Sequence, residues 1–184
     1  KEKIALFCDV PTDAVFSNSD VDDVYHVPLM VEEEGLDDYV MERLDLQDEA
    51  LPEDERSTEW RDLVTRERTE TVEVALVGKY DLEDAYMSVH EALKHAGIQR
   101  GVEVEVTWVD ADEMDDEHAN RLESADGVVV PGGFGSRGSE GKIEAVRYAR
   151  ENDVPFLGLC LGFQMAVIEH ARNVVGLEGA DSTE

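Results

Sequence analysis

The pentad Gly158-Leu-Cys160-Leu-Gly162 constrains this chain more than any other stretch. An apolar run leads into Cys160, and a segment with apolar residues at Leu161, Met165, Ile168 and Ala171 leaves it. The cysteine therefore stands where a strand turns into a helix. Glycine on either side has a steric purpose, because residues without a Cβ let neighbouring backbone approach the turn closely. This is the pattern of a nucleophile elbow with cysteine in place of serine. At the first turn of a helix, unpaired N–H groups and the helix dipole favour the thiolate, the nucleophilic form.

Strands and helices alternate around this turn. Thr71 to Val77 reads as a strand, Leu82 to Ala96 as a helix closed by Gly97 at its C′ position, and Val102 to Trp108 as a strand with one solvated face. Asp110 to Glu123 is acidic and helical in its second half, Gly127 to Val130 is a short buried strand, Glu140 to Arg150 is a helix, and Val154 to Leu159 is the strand delivering Cys160. That rhythm predicts an α/β fold, a parallel flavodoxin-like sheet with helices on both faces. Loops at the C-terminal ends of such strands gather at one edge. The loop Pro131-Gly-Gly-Phe-Gly-Ser-Arg-Gly138 is thereby predicted to meet the elbow, with N–H groups of Gly132 or Gly133 and of Leu161 aimed at one carbonyl oxygen. The loop lacks the Gly-Lys-Ser/Thr ending of a nucleotide loop.

Upstream, Lys3 to Cys8 reads as a buried strand broken at Asp9-Val-Pro11, with Val15-Phe16 continuing the sheet. Gly35 to Leu44 reads as a short helix, Asp45 to Arg56 as an acidic linker, and Trp60, Leu63 and Val64 as a packed helical turn. The organisation expected is a domain tail over 1–44, a linker over 45–69, and a truncated second domain over 70–184.

Forty-five acidic residues against 16 basic ones give a net charge of −29. The carboxylates are spread over periodic segments, so they belong to solvated faces of folded elements. Such a surface repels itself and nucleic acid alike at low ionic strength and suits a salt-rich cytoplasm, where a Debye length of about 3 Å near 1 M salt screens the self-repulsion. Cys8 and Cys160 make no disulfide framework or metal cluster, and no secretory or membrane-spanning run is present. A cytoplasmic protein is expected. A cysteine nucleophile also needs a base, and none of His26, His90, His95, His118 and His170 is an evident partner. His170 lies ten residues beyond Cys160, roughly 15 Å along a helix; it, His90 and His95 are expected on helix surfaces.

The motifs Gly158 to Gln164, Val130 to Gly138 and Ser182-Thr-Glu184 resemble the class I glutamine amidotransferases. Val77-Gly-Lys-Tyr80, Asp84-Ala-Tyr86, Ser88-Val89, Ala171-Arg-Asn-Val, Lys3 to Cys8 and Asp20 to Tyr25 resemble, more narrowly, the CTP synthase family. The resemblance implies hydrolysis of glutamine at Cys160 and passage of the ammonia to a second site, where UTP is phosphorylated by ATP with Mg²⁺ and aminated to CTP. It further implies Gly132 and Leu161 N–H groups as oxyanion donors, and Gly133, Phe134, Leu161, Gln164 and Glu184 as glutamine contacts. Lys3 is implied as a contact to UTP or CTP, and the Val21 main chain as a contact to the ATP base. No metal ligand is implied in this chain. GTP activation and assembly into a homotetramer or a filament are also implied. Phe163 departs from the family's more frequent Met. The phosphate loop, the Mg²⁺ ligands and the His/Glu pair of the triad are missing, so the chain is expected to be an inactive fragment. Two other readings stand beside this one: a cysteine hydrolase of the same fold, such as a γ-glutamyl hydrolase or DJ-1-like protein, and a non-catalytic regulatory module.

Overall fold

The computed structural model describes residues 1–47, 57–80, 83–113 and 116–183. The chain divides into two compact units, Lys1–Arg66 and Glu67–Glu184.

The first unit is built from short helices: α1 (Glu2–Cys8), α2 (Val27–Glu33), α3 (Leu36–Arg43) and α4 (Thr58–Val64), with single 3-10 turns at Thr12–Ala14 and Val24–His26. Trp60 fastens α4 by donating Nε1–H to the Tyr25 carbonyl at 3.0 Å, with the two rings edge to face at 6.0 Å. Arg61 reaches Glu32 on α2 at 3.2 Å. The predicted helix over 35–44 is α3, entered through Gly35 in the left-handed region. The predicted strand over Lys3 to Cys8 is instead helix α1. No strand occurs among the described residues of this unit, so an extended segment here would leave its ladder groups unpaired. A helix satisfies them internally and ends at left-handed Asp9, whose N–H bonds the Ala5 carbonyl. Nor is the α1 segment buried: Ile4, Leu6 and Phe7 are exposed, and Ala5 alone of the helix is buried. Val15-Phe16 continues no sheet; Phe16 packs edge to face on Tyr39 of α3 at 5.6 Å.

The second unit is a four-stranded, wholly parallel sheet in the order β2-β1-β3-β4, formed by β1 (Thr71–Gly78), β2 (Glu103–Asp110), β3 (Gly127–Val130) and β4 (Phe156–Gly158). Helices α5 (Met87–Arg100), α6 (Asp116–Ser124) and α7 (Ser139–Glu151) form the crossovers, and α8 (Leu161–Asn173) follows β4. The strand centres are β-branched or apolar and buried, as both-face coverage requires. One core joins Ala75, Val77, Val128 and Val130 to Val146 and Ala149 of α7 and to Leu161, Met165 and Ile168 of α8. The opposite face packs Val74, Leu76 and Val129 against Val89, Leu93 and Trp108.

Element boundaries shift from the sequence reading, most at two places. The helix predicted to stop at Gly97 starts at Met87, after a 3-10 turn at Glu83–Tyr86, and runs to Arg100. Leu82 lies outside the described residues. Gly101 (φ 72°) is the left-handed cap, while Gly97 is a packing glycine: a Cβ there would come within 2.7 Å of the Val104 side chain and 2.8 Å of the Val102 carbonyl. The last strand is only Phe156–Gly158, because the chain must already be turning at Leu159.

Candidate active site

Cys160 lies between β4 and α8, at φ 51° and ψ −107°, where few residues with a side chain are found. Its surroundings hold it there. The Leu159 N–H bonds the Val130 carbonyl at 2.9 Å, and the Cys160 carbonyl accepts from Phe163 and Gln164 N–H at 3.1 and 3.2 Å, starting the helix. The flanking glycines leave no alternative. A Cβ on Gly162 would fall 2.0 Å from the Val130 carbonyl oxygen, and one on Gly158 2.7 Å from the backbone of Gly162 and Phe163. Helix α8 is thus pressed against β3 and β4, and the strained residue at its head presents an exposed thiol.

The glycine loop arrives at the same edge. A Cβ on Gly132 would meet the Cys160 Cβ at 3.5 Å, and one on Gly133 would meet the Leu161 side chain at 3.4 Å. Gly132, Gly133, Cys160 and Leu161 are therefore brought together. Phe134 is 78% exposed on the loop, and Gln164 is exposed one turn into α8. Glu184 lies outside the described residues. Lys3 on α1 and Val21 are exposed residues of the first unit. His90, His95 and His170 are exposed on helices, and His26 is half-buried in the first unit. The first N–H groups of α8, Leu161's among them, have no acceptor within the helix. An exposed thiol beside such donors and a glycine loop can attack a carbonyl carbon and steady the charge that develops on its oxygen.

Behind the loop stands a set of charges that sequence reading did not single out. Lys79, at the end of β1 and 6% exposed, donates from Nζ to the Phe134 carbonyl. Arg137 donates to the Lys79 carbonyl at 2.7 Å and pairs with Asp112 at 3.3 Å. Lys142 on α7 is wholly buried, and its Nζ has no hydrogen-bond partner among the described residues. Burial, reinforced by the Lys79 charge and opposed by Asp112, lowers its pKa to about 8. A signal was present. Lys142 opens the stripe 142, 145, 146, 149 that α7 turns to the core, a position where an apolar residue is the rule. At the other end of that helix pair, Glu169 is 1% exposed and takes three hydrogen bonds from Arg150. Burial pushes its carboxyl up, but the bonds from Arg150 and Asn173 outweigh it and hold the pKa below the usual value.

Among the described residues, no group of three or more His, Cys, Asp or Glu is placed to hold a metal ion, and no helix is long and apolar enough to cross a membrane.

Comparison with known proteins gives consistent matches. Residues 81–183 match the family model for glutamine amidotransferase class-I, and residues 1–46 match that for the CTP synthase N-terminus. The whole chain is 73% identical to a CTP synthase of Natronomonas pharaonis and 70% identical to one of Halobacterium salinarum, covering 34% and 33% of their lengths. It spans about a third of the curated relatives it matches. Among solved structures, a Trypanosoma brucei CTPS glutaminase domain with bound acivicin superposes with a TM-score of 0.57 at 44% identity, over 61% of this chain and 45% of that one. With its parallel sheet and its cysteine elbow, the chain belongs to the class I glutamine amidotransferase family.

Proposed function

We propose that this chain is the central third of a CTP synthase and carries the nucleophile half of its glutaminase site. The observation that carries the reading is the approach of Gly132 to Cys160 at a strained elbow. Relatives named CTP synthase that match from Lys1 to Glu184 support the rest.

In this reading the Cys160 thiolate adds to the side-chain carbonyl carbon of glutamine. The carbonyl oxygen becomes an oxyanion held by N–H groups of Gly132 and Leu161. The C–N bond breaks, ammonia leaves with a proton from a general acid, and water hydrolyses the thioester to glutamate. The acid and base belong to a histidine with its glutamate partner outside this sequence. Gly133, Phe134, Leu161, Gln164 and Glu184 contact the substrate; a carboxylate at 184 suits its α-ammonium group. Ammonia then aminates UTP that ATP has activated, with Lys3 and Val21 on the nucleotide side. The described residues do not make up a magnesium site, and no step here rests on the metal. GTP activation and tetrameric assembly belong to the same proposal. So does a salt-rich cytoplasm, supported by the net charge of −29.

The test is CTP formation by the full-length enzyme in high KCl, with UTP, ATP and Mg²⁺, comparing glutamine with free ammonia. Cys160→Ala is expected to lower the glutamine-dependent rate by more than about 10³-fold and to leave the ammonia-dependent rate intact. Absence of CTP from ammonia would remove the amidoligase reading and leave a cysteine hydrolase of the same fold.

A further inference from the structure

A buried ammonium with no hydrogen-bond partner is costly, and an apolar side chain of similar length would fill the same space without that cost. Lys142 has 0% exposure and an unpartnered Nζ, yet it occupies a core stripe beside Ile143, Ala145 and Val146. Its charge stands against the glycine loop, since a methyl group on Gly133 would lie 3.6 Å from its Nζ. Lys79 reaches the same stretch, with its Cε 3.7 Å from that point and its Nζ on the next carbonyl, that of Phe134. The residue before Gly133 borders the nucleophile: a methyl group placed on Gly132 would lie 3.5 Å from the Cys160 Cβ.

We propose that Lys142 is a positioning residue for glutamine hydrolysis: its ammonium, packed against the glycine loop at Gly133, polarises the loop peptides bordering Cys160 and strengthens them as oxyanion donors. This rests on the glutaminase reading above. A buried positive charge a few ångströms from a peptide, itself shielded from water, favours the state in which negative charge appears at that peptide's N–H. It touches no reacting atom. The charged groups facing it are Lys79 from the end of β1, Asp112 from the end of β2 and Arg137 from the loop after β3, while α8 brings the apolar Leu161 to the same loop. Asp112 is shared with Arg137 at 3.3 Å, so Lys142 is incompletely neutralised. With its pKa at about 8, the charge is present at neutral pH and is lost in the mildly alkaline range.

The experiment follows glutamine hydrolysis by the full-length enzyme between pH 6 and 10, for wild type, Lys142→Met and Cys160→Ala. Lys142→Met is expected to lower kcat about tenfold at pH 7, with KM nearly unchanged, less than the loss of a direct oxyanion donor. The fall in wild-type kcat near pH 8 is expected to be missing from the variant, a change that a purely structural role would not produce. A variant within twofold of wild type that keeps the same alkaline limb overturns the proposal. Glutamine hydrolysis surviving in Cys160→Ala overturns the glutaminase reading instead. A second measurement needs no variant. Carbon-13 NMR of the lysine Cε groups should give Lys142 a midpoint near 8, which rises when the γ-aldehyde analogue of glutamine adds to Cys160 and places a tetrahedral oxyanion there. A midpoint that the adduct does not move overturns the proposal.

Discussion

The two connections that meet at the thiol are built on opposite principles. From β4 to α8 the chain takes two residues, Leu159 and Cys160, and their position is fixed by backbone pressed on backbone at Gly158 and Gly162. From β3 to α7 it takes eight, and charges support them: Lys79 on the Phe134 carbonyl, the loop's own Arg137 on the Lys79 carbonyl, and Lys142 beside Gly133. Steric interlock does not respond to pH or salt, whereas electrostatic support responds to both. In the proposed mechanism the nucleophile is placed once and for all, while the groups that receive the developing charge sit on an adjustable support.

The sharpest way to break the interlocked side is Gly162→Ala. Its methyl carbon would lie 2.0 Å from the Val130 carbonyl oxygen, so α8 must move away from β3. A loss of about 4 kcal/mol or more is expected, at the far end of single-residue effects, read as a collapsed melting temperature or insoluble expression. Gly133→Ala serves as the control, because its contacts of 3.4–3.7 Å are ordinary.

On the electrostatic side the expected effect depends on pH. Lys142 has a folded pKa of about 8 against 10.5 for a free lysine, so the unfolded chain binds more protons between those values. Stability should therefore rise with pH from about 8 to 10.5 and be lowest, by roughly 3 kcal/mol from this group, below pH 8. Lys142→Met should remove that rise and raise the neutral-pH stability; denaturant titrations at pH 7 and pH 10 measure both. Equal pH dependence in variant and wild type would show that the buried charge is compensated.

The smallest effect expected is at the nucleophile itself. Cys160→Gly relieves a backbone conformation at φ 51° that side chains disfavour, and should stabilise the fold by about 1–2 kcal/mol while abolishing hydrolysis. Calorimetry beside a glutaminase assay would separate the two changes.

The sequence showed the interlocked connection far more clearly than the supported one. Two glycines around a cysteine, between an apolar run and a helical stripe, already fix a turn, and the parallel-sheet rule brings Gly132 to it. Lys142 stayed hidden because lysines on helices are ordinarily solvated, and only the stripe it shares with Val146 and Ala149 hints otherwise. Gly97 misled as a helix end because its place there is set by close packing on β2, a tertiary matter, and the helix closes at Gly101 instead. The Lys3 to Cys8 run misled for a different reason. A short apolar run has no period of its own, and its state depends on what is there to pair with it.

Gly162 also bears on inheritance. Glycine is the smallest residue available, so every amino-acid change at that codon adds atoms where none fit. Descendants can therefore explore the neighbouring glycine loop, retuning charge and contact, while position 162 has no viable neighbour to step through. In lineages that keep this elbow, its glycine and strained cysteine form a fixed point around which the rest of the site can drift.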